Sequence, residues 1–229
     1  INDPCQNPTG FKLSQGEWLA VMKILKEATQ KTNVILIKDI AYKDFDTSEY
    51  EEKTVLSELP ENMLVVYAFS LSKSLGIYGM RAGAQLAISS SKECVEEFET
   101  AAAFSCRATW SNASRGGMEM FVKIMETPSL KRQLREEQKK YEKLLLERAE
   151  IFMTEAKECH LDILPYRSGF FLTVPVGEKI REVTKELEGQ NIFTIVFDDA
   201  IRIAICGIPK RKLNGLAKKI KDTIESLKG

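Results

Sequence analysis

The sequence is poor in histidine and carries no net charge. Its 229 residues include one histidine, and 33 lysines and arginines balance 33 aspartates and glutamates. A metal centre usually needs several imidazole or thiolate ligands at short spacing, and a nucleic-acid surface needs a basic excess. The five cysteines are dispersed without a C-x-x-C pair, which suits neither a disulfide framework nor zinc. We therefore predict no metal site, no nucleic-acid partner, and reduced thiols in a cytoplasmic protein.

Long apolar runs are also lacking. No uncharged hydrophobic stretch approaches the roughly 20 residues of a membrane span, so we predict no membrane partner. With 44% hydrophobic residues, the chain is long enough to bury one large core or two smaller ones. It begins Ile1-Asn2-Asp3, without a methionine, and we expect it to be a portion of a longer protein.

Short apolar runs alternate with helical patterns in the first half of the sequence. Residues 14–17, SQGE, form a capping-box pattern that predicts a helix through about Lys31. Apolar runs follow at 33–37, 63–69 and 83–88. Because uncharged strands separated by helices are typical of parallel sheets, we predict an α/β fold with a mostly parallel sheet covered by helices on both faces.

The second half predicts a smaller domain. A long, charged helical pattern covers about 129–157 and is followed by strand-like runs at 169–174 and 201–205 and by a closing helix. This order is typical of a small α+β domain. We therefore predict a large domain over 1–140 and a small one over 141–229, joined by the long helix.

Chemically useful side chains follow the apolar runs of the first half. Asp39 and Tyr42 follow the first run, Lys73 follows the second among serines, and Asn7 lies in the turn sequence NPTG. Ligands of open α/β sheets bind at the carboxyl ends of the strands, so we expect these side chains to meet at one edge of the sheet. Each residue alone also fits an ordinary role as a cap, a solvated loop residue or part of a turn.

Five stretches together carry a resemblance to a known family. They are NPTG at 7–10, DIAY at 39–42, SLSKSLGIYGMRAG at 70–83, RATWSN at 107–112 and RIAICG at 202–207. Because these stretches occur in the same order and with similar spacing, the sequence resembles pyridoxal-phosphate-dependent aminotransferases of fold type I, in the class I group of aspartate and aromatic aminotransferases. Complete members are nearly twice as long. The resemblance therefore implies the C-terminal part of a large, cofactor-binding domain plus the small C-terminal domain.

The resemblance implies catalytic and ring-binding roles for four residues. Lys73 resembles the lysine that binds pyridoxal phosphate covalently and then moves a proton between the substrate α-carbon and the cofactor. Asp39 resembles the carboxylate that keeps the pyridine nitrogen protonated. Tyr42 and Asn7 resemble the pair that donates hydrogen bonds to the 3′-oxygen of the ring.

The resemblance also implies a binding site for the cofactor phosphate. Arg81 resembles the family's phosphate-binding arginine, with Ser70 and Ser72 beside it. Arginine suits a bidentate contact with a phosphate better than lysine does.

Three further residues are implied in substrate binding. Arg202 resembles the arginine that binds the substrate α-carboxylate, and Phe171 lines the same pocket. Arg107 resembles the arginine that reaches from the partner subunit to a distal carboxylate, which would admit aspartate, glutamate and 2-oxoglutarate as well as aromatic amino acids. Two ordinary roles stay open, a solvent-facing arginine on an edge strand for Arg202 and a dimer-interface ion pair for Arg107.

The expected function is transfer of an amino group between an aspartate- or aromatic-type amino acid and a 2-oxo acid such as 2-oxoglutarate, by a homodimer. The alternatives are another fold type I enzyme, such as a carbon–sulfur lyase or decarboxylase, and a non-catalytic regulatory domain that senses the cofactor. We expect the 229-residue chain alone to be inactive, because part of the cofactor site would be missing.

Overall fold

The computed structural model describes residues 1–46, 56 and 58–227. Contacts between residues divide the chain into two units. Unit 1 consists of Ile1–Asp3 and Leu13–Gln138, and unit 2 consists of Pro4–Lys12 and Lys139–Gly229. The division near residue 140 was predicted, but the grouping of Pro4–Lys12 with the second unit was not. The assignment of the two units to the large and small domains of an aminotransferase stays a prediction.

Unit 1 is an α/β arrangement around a three-stranded sheet. Its strands and helices, in chain order, are α1 (Gln15–Ala28), β1 (Val34–Asp39), β2 (Met63–Ser70), α2 (Leu71–Ser74), β3 (Gly83–Ile88), α3 (Lys92–Thr109) and α4 (Arg115–Glu126). The long helix α5 (Pro128–Glu158) follows and runs on into unit 2.

The sheet of unit 1 is only partly parallel. The strand order is β1-β2-β3; β1 and β2 pair in parallel, whereas β2 and β3 pair antiparallel with Ser70 opposite Gly83. The prediction of a parallel sheet is therefore wrong for β3. Between β2 and β3 the chain forms only the single turn α2 and a 3-10 turn at Tyr78–Met80. A parallel return needs a long crossover, usually a helix, and this connection has none.

One face of the sheet forms the core of unit 1. Trp18 and Met22 of α1 are buried in a cluster with Leu36 and neighbouring side chains of β2. On the alternate positions of β1, Ile35 is 65% exposed and Ile37 57% exposed. Within the described residues, no helix buries these two side chains. The apolar run of β1 indicated burial on both sides, but the described elements cover only one of them.

Helix α1 begins as predicted. The Ser14 hydroxyl accepts a hydrogen bond from the Glu17 amide, and the Glu17 carboxylate accepts one from the Ser14 amide. This reciprocal pair satisfies amides that the first helical turn would otherwise leave unpaired.

Unit 2 is built on a three-stranded antiparallel sheet of order β4-β6-β5. Its elements are β4 (Phe171–Pro175), α6 (Ile180–Gly189), β5 (Ile195–Phe197), β6 (Ala200–Ala204), α7 (Lys210–Leu213) and α8 (Leu216–Ser226). Alternate residues of β4 and β6 point into one core with α5, α6 and α8. Fully buried members of this core include Phe152, Leu172, Leu187, Ile201 and Ile220. Within the described residues, no helix is long and apolar enough to cross a membrane.

Candidate active site

The carboxyl ends of β1 and β2 lie side by side in unit 1. Asp39 ends β1 and is paired in register with Ala68, two residues before the end of β2. The Asp39 carboxylate accepts a hydrogen bond from the Ala41 amide at 2.9 Å. This bond shapes the turn that leads to Tyr42, whose side chain is buried. Parallel pairing therefore places Asp39, Tyr42 and the residues after β2 at one edge of the sheet, as the sequence predicted.

Lys73 lies on the single turn α2 directly after β2. Its Nζ is 5.5 Å from the centroid of the Tyr42 ring and 4.4 Å from that of the Tyr78 ring. Both distances are within the range in which an ammonium group is attracted to the face of an aromatic ring. The structure thus brings Lys73 and Tyr42 together.

Arg81 returns to the same place from the start of β3. Its Nη1 donates to the Ser72 hydroxyl at 3.2 Å and to the Tyr78 carbonyl oxygen at 2.7 Å. The backbone at Arg81 is left-handed, with φ +49°. This turn folds the arginine back toward α2, so Arg81 and Ser72, both predicted to bind the cofactor phosphate, lie in contact; their role stays a prediction. Ser70 lies close in sequence as the last residue of β2.

Tyr78 is a site residue that the sequence analysis missed. The guanidinium of Arg81 lies 5.0 Å from the centroid of its ring, on which Lys73 also lies. The side chain itself is 61% exposed. An aromatic residue midway between the lysine and the arginine of SLSKSLGIYGMRAG was the available signal. Two cations at one ring make this a positive site that suits an anionic ligand.

A second cluster lies in unit 2, on the sheet face opposite the core. Arg202 of β6 donates from Nη1 to the Asn7 side-chain oxygen at 2.8 Å. Its guanidinium carbon is 4.2 Å from the Phe171 ring centroid and 5.3 Å from that of Phe197. The Nε atom is buried and has no hydrogen-bond partner among the described residues. Arg202 therefore retains donors for a further acceptor such as a carboxylate.

The turn that carries Asn7 is fastened to this sheet. The Thr173 hydroxyl of β4 donates to the Pro8 carbonyl oxygen at 2.8 Å. Gly10 has φ +71°, and a Cβ there would lie 2.2 Å from a ring carbon of Tyr166. Only glycine fits this close approach in a left-handed conformation. The resemblance implied that Asn7 binds the cofactor ring with Tyr42, and that pairing stays a prediction. The contact of Asn7 with Arg202 was not predicted.

Tyr166, whose ring lies beside Gly10, is also a hydrogen-bond donor. Its hydroxyl donates to the Gly169 carbonyl oxygen at 3.0 Å. Burial, with a smaller contribution from the nearby Cys5 thiol, raises the pKa of Tyr166 above its ordinary value. The phenol therefore stays protonated across the physiological pH range.

Arg107 does not contact either of these two clusters through its hydrogen bond to Ser111. It is exposed near the end of α3, where Nη1 donates to the Ser111 hydroxyl. Its predicted reach to a partner subunit's substrate stays a prediction.

A family model settles the relationship that these residues suggest. The model of aminotransferase class I and II matches residues 2–220. The chain belongs to the class I and II aminotransferase family. The predicted resemblance is thereby confirmed, and so is the predicted fold class.

Curated relatives of this aminotransferase-family chain include enzymes of both aspartate and aromatic type. It is 32% identical to the aromatic-amino-acid aminotransferase of Paracoccus denitrificans over 131 residues, which are 56% of this chain and 32% of the relative. It is 24% identical to the cytoplasmic aspartate aminotransferase of Caenorhabditis elegans over 228 residues, which are 97% of this chain and 54% of the relative. The chain thus spans about half of such a relative at most.

Solved structures of aminotransferases show the same architecture. An aminotransferase from Anaerococcus prevotii superimposes with a TM-score of 0.91 at 39% identity, over 97% of this chain and 55% of that one. The aromatic-amino-acid aminotransferase of Burkholderia pseudomallei, which is covalently bound to pyridoxal phosphate, gives a TM-score of 0.76 at 20% identity, over 98% of this chain and 55% of that one. At the second identity the likeness concerns the fold alone.

Proposed function

We propose that this chain belongs to a pyridoxal-phosphate-dependent amino acid aminotransferase. It provides the lysine that binds the cofactor, the residues that bind the cofactor phosphate, and the arginine that binds the substrate α-carboxylate. The observation that carries the proposal is the meeting of Lys73, Arg81 and Ser72 around Tyr78, at the carboxyl end of β2. It occurs in a chain of the class I and II aminotransferase family. The relatives named above are described as aminotransferases, which supports this function over a lyase, a decarboxylase or a regulatory domain.

The residues present fit pyridoxal phosphate. Ser72 and the arginine that it contacts, Arg81, offer a hydroxyl and a planar guanidinium, which are suitable donors for a phosphate group. The Lys73 amine is the group that binds an aldehyde. The Asp39 carboxylate would hold a proton on the ring nitrogen, and the Tyr42 hydroxyl would donate to the ring oxygen; their position at the same sheet edge as Lys73 supports these roles. Ser70 belongs to the proposed phosphate site through its position at the end of β2.

Each residue then has a defined task. When bound, pyridoxal phosphate supplies an electron sink for the bond that breaks at the substrate α-carbon. Lys73 would hold the cofactor through Nζ, and the same amine would move a proton between the substrate α-carbon and the cofactor. Asp39 keeps the ring nitrogen protonated. Arg81 and Ser72 hold the phosphate, so that the ring does not shift while the proton moves.

The substrates are amino acids and 2-oxo acids. Arg202 binds the α-carboxylate, supported by its contacts with Asn7 and Phe171 and by the donors that it retains. Arg107, contributed across a homodimer, binds the distal carboxylate of aspartate, glutamate or 2-oxoglutarate. Aromatic amino acids are a second donor class, since relatives of both types match the chain. The dispersed cysteines support a cytoplasmic location.

The test is a transamination assay on the full-length protein with added pyridoxal phosphate. Aspartate, glutamate or phenylalanine is the donor; 2-oxoglutarate accepts from aspartate and phenylalanine, and oxaloacetate accepts from glutamate. We expect stoichiometric formation of the new amino acid and the new 2-oxo acid. Lys73→Ala abolishes this turnover, whereas Lys139→Ala, an exposed lysine on α5, leaves it unchanged. Repeated turnover of the donor, beyond one equivalent per active site, without any acceptor would contradict the proposal and favour a lyase or decarboxylase.

The same assay on the 229-residue chain alone tests whether the part of the family fold that this chain spans is sufficient for turnover. We expect no turnover, because the chain spans 55% of the matched Anaerococcus structure. Measurable transamination by the chain alone would contradict that expectation.

A further inference from the structure

Arg202 occupies the middle of a three-stranded face, between two aromatic rings. In the antiparallel register, Thr173 of β4 and Ile195 of β5 stand opposite Arg202 on either side. Residues opposite each other, and those two positions away, point to the same face. Phe171 and Phe197 therefore share the face of Arg202, one diagonal to it on each neighbouring strand.

Small residues leave room for these rings. Phe171 stands opposite Ala204, and Phe197 stands opposite Ala200. Both alanines belong to β6, two residues after and two residues before Arg202. Methyl groups at these positions leave space along the face for both rings. The ring centroids lie 4.2 Å and 5.3 Å from the guanidinium carbon.

The two rings differ in how they are held. Phe171 is 7% exposed and packed, whereas Phe197 is 38% exposed and ends the three-residue edge strand β5. Phe171 is therefore the enclosed ring next to the guanidinium, and Phe197 is the more exposed one. A ring on the face of a guanidinium leaves the hydrogen-bonding edge of that group free. The edge can then receive a planar carboxylate with little loss of side-chain freedom.

We propose that Phe197 is a positioning residue for carboxylate recognition, which stacks on Arg202 and holds its guanidinium plane for the α-carboxylate of amino acid and 2-oxo acid substrates. The inference rests on the proposed role of Arg202. It assigns to an edge-strand residue, which has no polar group of its own, an effect on substrate affinity rather than on the chemical step.

The test compares matched variants of the full-length holoenzyme. Phe197→Leu removes the ring and keeps an apolar side chain, and Phe197→Tyr keeps the ring. Phe193→Leu makes the same substitution at a neighbouring phenylalanine that is 77% exposed. Arg202→Lys tests whether Arg202 itself binds the α-carboxylate. Steady-state kinetics with aspartate and with phenylalanine give KM and kcat, and calorimetric titration with 3-phenylpropionate gives the affinity for a single carboxylate without turnover.

We expect Phe197→Leu to raise KM for both donors and Kd for 3-phenylpropionate roughly three- to ten-fold, with kcat little changed. Phe197→Tyr restores both values, and Phe193→Leu leaves them unchanged. If Arg202→Lys weakens binding while Phe197→Leu does not, the positioning role is overturned and the role of Arg202 stands. If Arg202→Lys leaves binding unchanged, Arg202 does not bind the α-carboxylate, and the inference about Phe197 is overturned as well. A fall in kcat without a change in carboxylate affinity would also overturn it.

Discussion

Replacing Arg81 by lysine keeps the positive charge but removes the planar set of donors. In the structure, Nη1 of Arg81 is engaged by the Ser72 hydroxyl and the Tyr78 carbonyl oxygen, so the other guanidinium nitrogens remain for a phosphate. A lysine has three donors on one atom. If it keeps the two protein contacts, it loses one charge-assisted hydrogen bond to the phosphate.

The size of the effect follows from that lost bond. Hydrogen bonds to charged groups contribute about 1.5–3 kcal/mol, and the exposure of Arg81 in this chain favours the lower end because water screens the charge. About 1.5 kcal/mol corresponds to roughly a ten-fold rise in the Kd for pyridoxal phosphate. The left-handed backbone at residue 81 adds little, since both residues carry a Cβ and pay a similar strain.

The assay is a titration of the full-length apoprotein with pyridoxal phosphate, followed by absorbance. Arg115→Lys is the matched control, because Arg115 pairs with Glu119 on α4 with its side chain 85% exposed. We expect Arg81→Lys to weaken binding about ten-fold and Arg115→Lys to have no effect. Equal cofactor affinity in Arg81→Lys and the unmodified protein would refute the assignment of Arg81 to the phosphate.

Three further predictions concern the supports of the two clusters. Gly10→Ala should destabilise the protein by about 2 kcal/mol or more, because a Cβ would meet Tyr166 at φ +71°; Gly16→Ala, with open space around it, should be neutral or slightly stabilising in the same thermal unfolding experiment. Since the pKa of Tyr166 is raised in the folded state, its contribution to stability is complete below about pH 10 and is lost as pH rises, while the unfolded phenol ionises. Tyr166→Phe should remove that part of the alkaline loss, at a cost near neutral pH of about 1 kcal/mol for the bond to Gly169, as measured by urea unfolding at several pH values. Tyr78→Leu should weaken binding of pyridoxal phosphate about five-fold by removing the ring from both cations, and Tyr78→Phe should not.

Specific outcomes would contradict these expectations. Unchanged melting temperature in Gly10→Ala would show that the turn relaxes away from the tyrosine ring. An alkaline loss of stability that persists unchanged in Tyr166→Phe would mean that other groups cause it. Equal affinities of Tyr78→Leu and Tyr78→Phe for pyridoxal phosphate would show that the ring of Tyr78 does not contribute to cofactor binding.

Local sequence patterns were sufficient for the elements with strong periodicity. The strand predicted at 83–88 is observed as Gly83–Ile88, and the helix predicted at 129–157 as Pro128–Glu158. Helix Lys92–Thr109 was not predicted, and the structure buries none of its residues. Its sequence does carry apolar residues at helical spacing, among them Val95, Phe98 and Ala102, so the pattern was available although the described part of the chain does not bury this face. The direction of β3 was also not predictable from its own residues, since strand direction depends on the connection between strands.

The candidate site was predictable where it depends on position along a strand. Asp39 ends β1 and Lys73 follows β2. Because these two strands are parallel neighbours, the topology alone brings both residues to one edge of the sheet. Contacts set by register or by distant chain segments were not predictable. Phe197 meets Arg202 because of an antiparallel register, and Asn7 meets it although 195 positions separate them. Pairing of this kind arises from tertiary packing, which single-sequence patterns do not encode.

The central claim is that Lys73 is the residue that binds the cofactor. The direct measurement is reduction of the full-length protein with borohydride in the presence of pyridoxal phosphate, followed by digestion and mass spectrometry. We predict a pyridoxyl group on the peptide that contains Lys73, and its loss in Lys73→Ala. A protein that carries no such group on Lys73, or carries it only on other lysines, would contradict the account.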